Sequence, residues 1–203
     1  MNLIYGQGHV TEVETKESRN GLLIGNIKLK TEDSQFFLTA FGDTAQVVAA
    51  LQGTHVAFTG TLNARTYTTR DGTDTWAMSP TVRELVGIET PDETYVRGRF
   101  VGSTEPKEFT RQDTTTYTGT LVHYDIKRQG KAVGEGVVIS DDHHSAPEIM
   151  VDGQLFYRTF EYRGQQVRTY RVDPQISNGL TIPTIPANPV TNPLETTNEG
   201  MPF

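Results

Sequence analysis

Apolar residues along this chain recur at alternate positions over short runs, and the runs are separated by polar stretches bearing glycine. That period of two belongs to half-buried strands rather than to long helices. Residues 22–30 (Leu-Leu-Ile-Gly-Asn-Ile-Lys-Leu-Lys), 35–41 (Gln-Phe-Phe-Leu-Thr-Ala-Phe), 54–62 and 75–86 are read as strands. In the third run Val56, Phe58 and Leu62 are apolar on a period close to two, as in a barrel wall with one inward face. Successive strand residues face opposite sides, so at least one of Phe36 and Phe37 must point away from the core. Asn20-Gly21 and Asp71-Gly72 predict hairpin turns. One helix is predicted, over 43–52. Asp43 is placed to cap it, Ala45, Val48, Ala49 and Leu51 lie roughly on one face, and Gly53 ends it. Strands, one short helix and further strands within residues 1–90 outline a small closed barrel.

An internal repeat extends the pattern. Gly60, Leu62, Arg65, Thr66, Tyr67 and Arg70 correspond to Gly153, Leu155, Arg158, Thr159, Phe160 and Arg163, at a constant offset of 93. A turn glycine follows each copy, Gly72 or Gly164, and the preceding strands also correspond, Val56-Ala57-Phe58 against Ile149-Met150-Val151. The repeat predicts a second, divergent barrel over 94–173. Its middle, 137–148, has no counterpart of the 43–52 helix. Residues 174–203 hold six of the ten prolines and no Lys or Arg. Such a stretch cannot bury enough apolar surface to offset the entropy of ordering it, so it is expected to be a disordered tail. The expected architecture is therefore all-β, with OB-type barrels in tandem, one short helix in the first, and a tail.

Composition narrows the classes. The chain has no cysteine, which excludes disulfides and thiolate metal sites and favours an intracellular setting. No apolar run approaches the ~20 residues that span a bilayer. The first residues lack the basic and apolar regions of a signal peptide, so a soluble cytoplasmic protein is expected. The net charge of −7 argues against a general polyanion binder, but the charge is uneven. Residues 1–93 carry 7 basic and 12 acidic groups, 94–173 carry 11 and 11, and 174–203 carry 0 and 2. A bound strand responds to the local groove rather than to the total.

The repeated hairpins bring basic and aromatic residues together at strand spacing. Arg65, Tyr67 and Arg70 alternate on the first, with Trp76 on its return strand. Arg158, Phe160, Tyr162, Arg163, Arg168, Tyr170 and Arg171 crowd the second, and Lys28 and Lys30 lie on the 22–30 strand. Single-stranded nucleic acid is held by such a combination, cations on phosphates and aromatic faces on bases. The same residues also serve as ordinary strand formers and as covers of an exposed face. Ser140-Asp141-Asp142-His143-His144 has the donor types of a metal site. Adjacent histidines on a strand do not face one ion, and a solvated loop is the simpler reading. Gly6-x-Gly8 and the glycines of 130–136 lack the continuations of phosphate loops. No nucleophile–base arrangement is visible, so the chain is not expected to be an enzyme or to need a cofactor.

Phe41-Gly42-Asp43, followed by Ala45, Val48, Leu51, Gly53, Val56, Gly60, Leu62, Arg65 and Tyr67, resembles the bacterial and phage single-stranded DNA-binding protein family. That family's pattern runs from phenylalanine-glycine through a short helix and a strand into a glycine-x-leucine hairpin with basic and aromatic residues. The match is close over about 36–76 and loose over 1–35. The resemblance implies an OB fold, with Phe41 and Tyr67 where the family stacks bases and Arg65 where it meets phosphates. It also implies a role in replication, recombination or repair, in a bacterial cell or phage-infected host. Gln35 stands near a place where the family often has a stacking tryptophan. Family members typically end in an acidic tip closing in proline-phenylalanine, which docks replication and repair proteins. Met201, Pro202 and Phe203 fit that ending, with Glu195 and Glu199 in place of the usual aspartates. One-barrel members form tetramers and two-barrel members dimers, so a homo-oligomer is implied. The competing reading is an all-β structural or assembly protein, of virion type, whose barrels bind no nucleic acid.

Overall fold

The computed structural model describes residues 1–68, 72, 74–111, 114–129, 131–162, 164–173, 176–177 and 180–181. Its first half runs β1 (Asn2–Glu17), β2 (Leu23–Lys30), β3 (Gln35–Phe41), helix α1 (Asp43–Val48) with a 3-10 turn at Ala49–Leu51, β4 (His55–Thr68) and β5 (Asp74–Ile88). The second half runs β6 (Tyr95–Thr110), β7 (Thr116–Arg128), β8 (Lys131–Ser140), β9 (Glu148–Tyr162) and β10 (Gln165–Asp173). A two-residue pair, Ile176–Ser177 with Leu180–Thr181, follows.

The pairings close on themselves twice. Strand β1 pairs antiparallel with β2 and β4, β2 with β3, and β4 with β5, while β3 meets β5 in parallel at Thr39 and Thr81. The same order recurs from β6: β6 with β7 and β9, β7 with β8, β9 with β10, and β8 with β10 in parallel. Five strands closed in this order form the Greek-key barrel of the OB fold. The chain is all-β with two such barrels in tandem, and α1 is the single α-helix among the described residues.

Strand β3 has the limits read from its sequence, whereas β4 and β5 run further than their apolar runs. Strand β1 carried no clear signal. Its inward positions are Ile4, Gly6, Gly8 and Val10, and two glycines in four erase the apolar alternation. The helix is shorter than predicted, because its last turn tightens into the 3-10 segment. Gly42 takes the cap position at φ 58°, Asp43 falls in the first turn, and no side chain caps the helix. Ala45 and Val48 are buried, but Ala49 is exposed. In the second barrel residues 141–147 replace the helix. There the Thr120 hydroxyl donates to the Asp142 carbonyl and accepts from the His144 N–H.

The barrels are joined by continued sheet. Strand β1 pairs antiparallel with β6 from Asn2 opposite Phe100 to Gln7 opposite Tyr95. A Cβ on Gly6 would run into the Tyr95 carbonyl, so the seam needs glycine there. A second junction is short and parallel, with Val167 beside Trp76 and Arg168 beside Ala77. The Thr75 hydroxyl donates to the Gln166 carbonyl at this point. One apolar cluster spans both barrels, from Ile4, Phe58 and Leu62 to Phe100, Tyr124 and Leu155. Buried Tyr124 ties them directly, donating its hydroxyl to the Leu62 carbonyl at 3.1 Å. A burial of this kind is tolerable because the phenol keeps a partner.

Candidate nucleic-acid interface

Strand alternation sorts the consecutive phenylalanines on β3. Phe36 points inward at 2% exposure, while Phe37 stands out at 66%. Phe36 lies parallel to the ring of Tyr170 from β10, centroids 6.0 Å apart, so the second barrel covers the inner side of this strand. Phe37 sits across from Lys28 on β2, and Gln35 across from Lys30. Lys30 is exposed. Lys28 is part-covered and held by Glu12 at 3.5 Å, which neutralises some of its field. Phe41, at the end of β3, is 36% exposed.

From β4 comes Arg65, exposed and paired in register with Ala77 of β5. Tyr157 projects from β9 at 53% exposure, opposite Tyr170 on β10, with the two rings edge to face at 6.0 Å. Arg168 lies two residues before Tyr170, on the same side of β10, and is exposed. Both barrels therefore contribute to one cleft of about 890 Å³. Phe37, Arg65, Tyr157 and Arg168 line it, with Met78, Pro80 and Tyr170. That volume falls in the range of about 300–1,000 Å³ in which small-molecule sites occur.

Not every residue singled out in the sequence joins this cleft. Phe160 is 9% exposed and packs with Leu121, Val137, Ile139 and Val167, with the Phe109 ring 6.0 Å away. Its ring is core, facing inward from β9 among these apolar side chains. Tyr170 is likewise buried at 5%, and desolvation pushes its phenol above the usual range near 10. It forms a wall of the cleft rather than an open stacking face. Trp76 is half-buried against both apolar clusters. Arg158 is exposed but alternates to the other side of β9 from Tyr157. There its charge partly offsets the upward push on the Tyr117 phenol from burial and from Asp141. Arg70, Arg163, Met201, Pro202 and Phe203 lie outside the described residues, as does the side chain of Tyr67.

Phe37 and Tyr157 are the contributors that sequence reading did not select. Phe37 was legible only as one of a pair of which one must face out. Tyr157 falls within the repeat but opposite Ala64 of the first copy, so the repeat gave it no emphasis. The Ser140–His144 segment is occupied structurally. Ser140 and His144 meet at 3.1 Å, and Asp141 accepts from Tyr117 at 2.9 Å and pairs with Arg171 at 2.9 Å. Among the described residues no three His, Cys, Asp or Glu side chains converge as a metal would require. No helix among them is long and apolar enough to cross a membrane.

No protein-family model matches this sequence, and no curated protein matches it. Solved structures do resemble it. A deletion mutant of the single-stranded DNA binding protein from Thermus aquaticus superimposes with a TM-score of 0.66 at 12% identity, covering 96% of this chain and 98% of that one. The wild-type protein from the same organism gives 0.57 at 11% identity, covering 85% and 90%. At such identity the likeness speaks of backbone rather than of side chains. What it shows is the fold: this chain is folded as the Thermus aquaticus single-stranded DNA binding protein is.

Proposed function

We propose that this chain binds and protects single-stranded DNA with little regard to sequence, and catalyses no reaction. The observation that carries the reading is the cleft in which exposed Phe37 and Tyr157 lie with Arg65 and Arg168. Aromatic faces open to solvent take unstacked bases at ~1–3 kcal/mol each, whatever the base, and arginines beside them meet the phosphates. A duplex keeps its bases paired inside and offers such a cleft only its backbone. The fold shared with the Thermus aquaticus protein, named for binding single-stranded DNA, supports the same reading.

In this reading residues 1–90 and 94–173 act as two binding barrels and 174–203 as a tail. Met201, Pro202 and Phe203 recruit replication or repair proteins, and two chains assemble into a dimer of four barrels. Lys28, Lys30, Phe41, Tyr67, Arg70 and Trp76 extend the interface along the first barrel, with Arg158 and Arg163 reached by a strand wrapping the second.

The test is fluorescence anisotropy of labelled oligo-dT and of a matching duplex, titrated with the full chain at two salt concentrations. Tight binding to the single strand alone, weakening steeply with salt as counterions are released, is the expected result. No binding of the single strand at low salt would sink the proposal and leave the barrels as an assembly scaffold.

A further inference from the structure

The cleft lies where the two barrels meet, and neither barrel supplies both of its exposed rings. Phe37 comes from β3 and Tyr157 from β9, with Arg65 from β4 and Arg168 from β10. At the junction beneath it two residues pair in parallel, Val167 with Trp76 and Arg168 with Ala77, and the Thr75 hydroxyl donates to the Gln166 carbonyl. Beneath the cleft Phe36 stacks on Tyr170, and Tyr157 meets Tyr170 edge to face. Phe37 and Tyr157 remain exposed, in a space of about 890 Å³ that Arg65 and Arg168 also line. Exposed aromatic rings and cations in one cleft match one chemical unit, a planar base flanked by phosphates.

We propose that this cleft is a single base-binding subsite shared by the two barrels, in which one unstacked base of the bound strand lies against Phe37 and Tyr157 together. Arg65 and Arg168 hold its flanking phosphates. The proposal rests on the single-strand binding proposed above and adds to it that a strand entering here clamps one barrel to the other. Binding then adds a bridge of ligand across this junction.

The experiment is a double-mutant cycle on the full-length chain with oligo-dT, using Phe37→Ala, Tyr157→Ala and both together. Both side chains are largely exposed, so thermal melting is expected to match the parent. Each single variant is expected to lose roughly five- to hundredfold in affinity. If one base touches both rings, removing either ring frees it, and the double variant loses little more than the weaker-binding single one. Losses that multiply would mean two separate bases and would overturn the shared subsite. A parent that binds tightly alongside variants that bind equally well would also overturn it, while leaving the proposed function standing. A parent that does not bind removes both. A second measurement needs no variant: oligo-dT with one 5-iodouracil, photo-crosslinked to the parent chain and mapped by mass spectrometry. Crosslinks from that one nucleotide to both Phe37 and Tyr157 are expected, and crosslinks to one ring alone or to neither overturn the proposal.

Discussion

Ile4 and Gly98 hold the same place in their respective barrels, and they pair with each other. Ile4 lies opposite Gly60 on β4, and Gly98 opposite Gly153 on β9, the glycines that begin the two copies of the sequence repeat. Across the β1–β6 seam Ile4 is the partner of Gly98. A strand that meets its own counterpart antiparallel, centred on equivalent residues, is the arrangement of a two-fold symmetric dimer, here enclosed within one chain. The symmetry is local to the seam. At the other junction β5 and β10, which hold equivalent places in the two barrels, run parallel.

The seam sets the first prediction. A methyl group on Gly6 would collide with the Tyr95 carbonyl and crowd the Val96 Cα at 2.9 Å, both main-chain atoms that cannot rotate away. Gly6→Ala is expected to cost about 1–3 kcal/mol, the usual penalty of forcing extra volume into a packed site. Thermal unfolding followed by circular dichroism should show a midpoint several degrees lower. An unchanged midpoint would mean that the strands are not held this close.

Electrostatics along the cleft gives the second. If Arg65 and Arg168 each neutralise a phosphate, replacing either by alanine weakens oligo-dT binding and makes the log–log salt dependence shallower by about 0.7 for each phosphate left without its cation. Arg158→Ala, on the other side of β9, is expected to change that slope less than either. Equal slopes for all three variants would place the phosphate path elsewhere.

Alkali supplies the third. Burial pushes the phenols of Tyr124 and Tyr170 well above the ordinary value near 10. The folded chain thus holds these protons more tightly than the unfolded one. Their contribution to stability is complete below about pH 10 and is lost as pH rises beyond it, where the unfolded phenols ionise first. Titration at the phenolate absorbance should show two tyrosines ionising only together with loss of β structure. Smooth titration of all eight tyrosines in a folded chain would contradict the burial.

The fourth uses the single tryptophan, Trp76, which packs on both apolar clusters beside the parallel junction. A strand bound in the cleft is expected to alter its emission. Saturating oligo-dT that changes anisotropy but leaves Trp76 emission untouched would locate binding away from the junction.

A good part of the fold was legible in the chain itself. Strand period, turn glycines and the repeat at offset 93 are local or periodic properties, and they specified an all-β chain of two barrels with a helix in the first. Gly21, Gly72 and Gly164 sit at φ of 75°, 85° and 74°, where a side chain would be strained, so the turns could be read from residue type. Strand β1 escaped notice because a glycine facing inward buries no apolar side chain. The site was another matter. Interleaved Arg and aromatic residues announced a surface, but which of them face outward depends on strand register, and a shift of one residue reverses every side chain. Register placed Phe160 and Tyr170 in the interior and left Phe37 and Tyr157 exposed. That the last two share one cleft follows from the docking of two barrels, which brings together residues far apart in the chain, and no local pattern encodes such a meeting.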